Sequence, residues 1–71
     1  MIKDETALRK LSINLPALMK KREMSQAELA RHTGESDARI ANYKFGRVLP
    51  SLAVAARIAE ALDCTIDELL K

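Results

Sequence analysis

A single glycine, Gly34, interrupts the run SQAELARHTGESDARIANYK, which extends from Ser25 to Lys44 and otherwise reads as helix. Glycine inside a helix costs about 1 kcal/mol relative to alanine. The flanking residues offer a better arrangement. Ser25-Gln26-Ala27-Glu28 is a capping box, in which the Ser25 hydroxyl accepts from the Glu28 backbone and the Glu28 side chain returns the bond. Ser36, two residues after Gly34, offers a second N-cap. Gly34 then ends the first helix, where a left-handed backbone is needed and glycine adopts it cheaply. Ala27, Leu29 and Ala30 supply the inner positions of that helix. Ile40 and Tyr43, three apart, supply those of the next.

Two short helices joined by a tight turn with glycine form a helix-turn-helix, here at about residues 26–44. The rest of the chain follows the same punctuation. Asn14 is a candidate N-cap for a helix reaching about Glu23, with Pro16 tolerated in its first turn. Leu15, Leu18, Met19 and Arg22 share its face. Ser51 caps a helix over about Leu52 to Leu62, whose core stripe is Leu52, Ala55, Ile58, Ala59 and Leu62. Ala53, Val54, Ala56 and Ala61 make that helix apolar almost all round, which predicts burial on more than one side. Thr65-Ile66-Asp67-Glu68 is another capping box and opens a short last helix. Residues 1–13 read as an N-terminal arm of undecided structure: Ala7, Leu8 and Leu11 suit a helical turn, whereas Leu11, Ile13 and Leu15 alternate like a strand.

These elements predict an all-α domain, a compact bundle of about five short helices over residues 14–71. At 71 residues one domain is the limit, and such a chain buries only about 60% of its unfolded surface. Small domains of this size often add a disulfide, a metal or a second subunit. The one cysteine, Cys64, excludes an internal disulfide and suits a reducing cytoplasm. His32 and Cys64 are too few for a structural zinc site. A homodimer is the remaining support. No apolar run approaches the ~20 residues that cross a membrane, and no signal-peptide core opens the chain. No acid–base pair, metal constellation or cofactor motif supports an enzyme.

Net charge is +2, from 12 basic and 10 acidic residues. Its distribution is uneven. Glu60, Asp63, Asp67 and Glu68 form an acidic C-terminal stretch, against Lys20, Lys21 and Arg22 and a second basic set of Arg39, Lys44 and Arg47.

Taken together, the chain resembles the Cro/phage-repressor, or XRE-type, class of helix-turn-helix proteins from about Asn14 to Leu70. The resemblance rests on linked features: Ser25-Gln26-x-Glu28-Leu29-Ala30, Gly34 four residues later, Ile40 six after that, Gly46-Arg47 leading to Pro50-Ser51-Leu52, and Ile58-Ala59-x-Ala61-Leu62 before Asp67-Glu68-Leu69-Leu70. It implies sequence-specific binding of double-stranded DNA, usually as a dimer, with recognition by the helix that starts near Ser36. Two departures stand out. Many members carry an acid at Lys44 that pairs with a cation near Met19; here both partners are replaced together. Asp37-Ala38 stands where larger neutral polar residues are common.

A major groove admits one α-helix. With Ile40 and Tyr43 inward, the outward set of the recognition helix is Ser36, Asp37, Ala38, Arg39 and Asn42. Asn42 suits adenine, Ala38 a thymine methyl, Arg39 guanine or phosphate, and Asp37 a cytosine amino group. Ser36 serves equally as a plain N-cap. Gln26, Lys44 and Arg47 are the phosphate candidates, Gln26 because the family commonly uses this glutamine so. The run at residues 20–22 reads as solvated face, and Lys3, Arg9 and Lys10 as part of a disordered terminus rather than a basic arm. Cys64 is expected as a small buried thiol, His32 as exposed, and Tyr43 as core with its hydroxyl at the rim. Phe45 is open: exposed, or packed against the arm. The expected function is a small transcriptional repressor acting by promoter occlusion. The alternative is a protein-interaction module, such as an antitoxin-type domain that docks a partner through the apolar fourth helix.

Overall fold

The first helix starts well before Asn14. α1 spans Asp4–Lys21 in the computed structural model, which describes residues 3–71; residues 1 and 2 of the arm lie outside the described residues. Ala7, Leu11, Leu15 and Met19 are buried at four-residue intervals. This stripe makes the ambiguous segment helical rather than alternating, and Ile13, which alternation would bury, is 63% exposed. Asn14 is therefore no N-cap. Its side-chain amide donates to the Leu69 carbonyl at 3.1 Å. Pro16 lies inside the helix, not in its first turn, and removes the bond an N–H would make to the Ser12 carbonyl. Interior proline costs on the order of 3 kcal/mol. Packing offsets that, since each fully buried leucine contributes about 1.5–3 kcal/mol, and Leu11 and Leu15 flank the site at 1% and 0% exposure.

Four shorter helices follow: α2 (Gln26–Thr33), α3 (Asp37–Lys44), α4 (Leu52–Ala61) and α5 (Ile66–Leu69). Each begins with a hydroxyl cap. Ser25, Ser36, Ser51 and Thr65 accept from the backbone N–H three residues on. At Ser25 the box is complete, since the Glu28 carboxylate accepts from the Ser25 N–H at 3.0 Å. At Thr65 only the threonine half forms. The left-handed residues that follow helix ends are Glu23, Gly34, Gly46 and Asp63, with φ of 54°, 73°, 67° and 51°. Gly34 thus stops α2 as its position in the sequence requires.

α1 packs against α3 and α5, α2 against α3 and α4, and α4 against α5. The core joins Leu11, Leu15, Met19, Leu29, Ile40, Tyr43, Ile58, Leu62 and Leu69. Thr33 is the buried polar residue, and its hydroxyl donates back to the Leu29 carbonyl at 2.8 Å. Charged side chains cap helix ends across the bundle. Arg22 donates from Nε to the Leu62 carbonyl and from a terminal nitrogen to the Asp63 carbonyl, at 2.9 and 3.1 Å. Arg57 donates to the Thr33 carbonyl at 3.2 Å. Cations suit these carbonyl-rich C-termini. Arg22 is thereby committed to the end of α4.

Four burial expectations change. Leu52 is 76% exposed rather than core. Periodicity puts it on the side of Ala55 and Ala59, but in the first turn it reaches only the rim of an apolar groove shared with Ala7, Leu11 and Leu69. Ala53 and Ala56 are also exposed, so α4 is buried on one side, through Val54, Ala55, Ile58 and Ala59. Ala27 is exposed in the first turn of α2. Cys64 is half-buried; burial, then the Glu68 charge, pushes its thiol above the ordinary value.

Candidate nucleic-acid interface

α3 is amphipathic across its short length. Ile40 and Tyr43 anchor it, at 0% and 3% exposure. The Tyr43 hydroxyl reaches the rim and donates to the Glu35 carboxylate at 3.4 Å. Ser36, Asp37, Ala38 and Arg39 are exposed on its first turn, and Asn42 is half-buried one turn further on. The Ser36 hydroxyl accepts from the Arg39 N–H at 3.1 Å, so it is the cap of α3 whatever else it touches. A helix of this shape presents side chains from its N-terminal half to whatever faces it.

The three phosphate candidates fall around the ends of α3. Gln26, the first residue of α2, is half-buried. Its Nε2 donates to the Asp37 carbonyl at 3.2 Å, and its Oε1 accepts from Lys44 Nζ at 3.4 Å. One glutamine therefore links the start of α2 to both ends of α3. Beside it, the Ser25–Glu28 box occupies the Glu28 N–H, leaving the first-turn N–H groups of Gln26 and Ala27 at the positive end of α2. The Ser25 bonds hold the Glu28 carboxyl below its ordinary value of 4.5, first through the Ser25 backbone and then through its hydroxyl.

Arg47 follows α3 in the loop and is exposed. Its guanidinium donates to Asn42 Oδ1 at 3.4 Å. That bond engages the oxygen that pairing with adenine would use. The turn carrying Arg47 is fixed by its own N–H, which donates to the Asn42 carbonyl at 2.9 Å. Lys44 is half-buried and takes up no role with Met19, which is buried in the core. The altered pair has become an apolar contact at one end and a cation tied to Gln26 at the other.

Lys20 and Lys21 are exposed at the end of α1. His32 is exposed, as expected. Phe45 takes the exposed alternative, at 62%, with Lys44 Nζ 5.9 Å and the Arg47 guanidinium 5.0 Å from its ring centroid. The sequence reading assigned this residue no role; its signal was an aromatic with a cation immediately before it and another two residues after. The linkage of Gln26 to Asp37 and Lys44 had no sequence signal, because it joins residues 11 and 18 apart.

The helix-turn-helix family pattern matches residues 17–69. The chain belongs to the XRE-type helix-turn-helix family. This XRE-type protein also shares its fold with the restriction-modification controller protein C.AhdI from Aeromonas hydrophila, at a TM-score of 0.81 and 29% identity, over 87% of this chain and 94% of that one. No curated protein matches the sequence. The family places the XRE-type protein among DNA-binding transcription regulators. Among the described residues, no helix is long and apolar enough to cross a membrane.

Proposed function

We propose that the chain is a sequence-specific repressor that binds double-stranded DNA as a homodimer, in the manner of a controller protein. The observation that carries this reading is the exposed first turn of α3, held by Ile40 and Tyr43 from behind and bordered by Gln26, Lys44 and Arg47. In the proposed complex α3 enters the major groove. Ser36, Asp37, Ala38, Arg39 and Asn42 face base edges there, while Gln26, Lys44 and Arg47 contact phosphates and fix the register. Occlusion of a promoter by the bound dimer represses it, and no cofactor enters. The two α3 helices of a dimer would sit about 34 Å apart, one turn of the duplex.

Selection of binding sites from a random duplex library, followed by titration of the winner at two salt concentrations, tests the proposal. An enriched palindrome with steep salt dependence supports a dimeric reader, since each neutralised phosphate adds about 0.9 to the slope. A second reading has its own observation. Leu52 stands 76% exposed at the rim of an apolar groove, a surface suited to a protein partner. A folded sample that enriches no duplex selects this reading, in which the domain docks another protein.

A further inference from the structure

We infer that Phe45 is a positioning residue for the phosphate contacts: its ring holds Arg47, and with it Lys44, in place before a duplex arrives. The inference rests on the proposed DNA-binding role of α3. Phe45 is 62% exposed, so core packing does not account for a phenyl ring at this point. The Arg47 guanidinium lies 5.0 Å from its centroid and Lys44 Nζ 5.9 Å, both within the ~6 Å over which a ring face attracts a cation. Each cation has a second tether. Arg47 donates to Asn42 Oδ1 and Lys44 to Gln26 Oε1, each at 3.4 Å. Gln26, Lys44, Phe45, Arg47 and Asn42 thus form one continuous arc beside α3. The backbone beneath is held as well. Gly46, between the ring and Arg47, sits so close to α1 that a Cβ would stand 2.7 Å from the Leu8 carbonyl oxygen.

The chemistry suits phosphate. A guanidinium carries five N–H donors in a planar fork, and the bond to Asn42 uses only one terminal nitrogen of Arg47, so the other nitrogens remain for phosphate. A side chain ordered before binding loses less entropy on binding. Phe45 itself carries no charge. Its removal should therefore weaken every duplex alike yet leave the salt slope in place, because Lys44 and Arg47 still neutralise phosphate. Loss of Arg47 differs, since it removes about 0.9 from that slope.

The test compares Phe45→Leu, Phe45→Tyr, Arg47→Ala and the double variant F45L/R47A with the unaltered chain, on the selected duplex and on an unrelated one across a salt series. Phe45→Leu should weaken both duplexes by roughly two- to fivefold, keep the slope and leave the melting temperature unchanged. Phe45→Tyr should restore affinity, and in the R47A background the effect of Phe45→Leu should shrink. Without DNA, Arg47 side-chain protons should show a ring-current shift that Phe45→Leu abolishes; besides Phe45 and Tyr43 the sequence holds no other Phe, Tyr or Trp. Full affinity for Phe45→Leu, or additive losses in the double variant, would overturn the inference while leaving DNA binding intact. Failure of the unaltered chain to bind any duplex would overturn both.

Discussion

Gly34 and Gly46 have similar backbones, at φ 73° and 67°, and different surroundings. Nothing lies within 4 Å of a Cβ built on Gly34, whereas one on Gly46 meets the Leu8 carbonyl oxygen at 2.7 Å and Ser12 Cβ at 3.0 Å. Gly34→Ala should therefore cost about 1–2 kcal/mol, the left-handed penalty alone. Gly46→Ala should cost more, by about 1–3 kcal/mol of overpacking, and chemical denaturation of the two variants checks the order. At the capping box, the folded-state pKa of Glu28 is lowered. Its contribution is complete above the ordinary value of 4.5 and is lost as pH falls through the lower folded value. Glu28→Gln can keep the reciprocal bond but has no proton to take up, so its stability should vary less with pH below 4.5 in parallel acid titrations. At the interface, Asn42→Ala should weaken binding at one or two base pairs by about 1–3 kcal/mol, while Arg47→Ala should weaken all sequences alike and lower the salt slope by about 1. A library selection with each variant separates base readout from phosphate contact; equal losses on every duplex for Asn42→Ala would count against its base role.

At the scale of elements, the short helices were more legible than the long one. α2 through α5 each announce their start with a hydroxyl residue, and the bonds that those hydroxyls accept are local. α1 has no side-chain cap at Lys3, so no residue marked its beginning, and Asn14 and Pro16 together imitated a start. What makes the first half of α1 helical is burial of Ala7 and Leu11 in the bundle, which local pattern does not show. α4 misled in the opposite direction. Its apolar residues outnumber its buried ones, because Leu52, Ala53 and Ala56 face outward. Leu15→Ala should therefore cost about 2–5 kcal/mol, whereas Leu52→Ser should stay within about 0.5 kcal/mol, the range of ordinary surface changes. Thermal melts of the two variants compare leucines that the sequence alone treats alike.

For the whole molecule, the cross-bundle bonds of Arg22, Arg57 and Asn14 tie the ends of α4, α2 and α5 to other helices. If this unit binds DNA as a dimer, affinity should fall linearly with the logarithm of salt concentration, with a slope of several units. Fluorescence anisotropy across a salt series measures it, and a flat response would favour the protein-docking reading. The sequence by itself determined the helix count, the turn at Gly34, the hydroxyl caps of α2 to α5 and the outward set on α3. These follow from backbone preferences and side-chain spacing within a few residues. Tertiary structure decided the reach of α1, the exposure of Leu52, the commitment of Arg22 to α4 and the arc from Gln26 to Asn42. Each of these depends on which distant surface is near, and on where that surface stops.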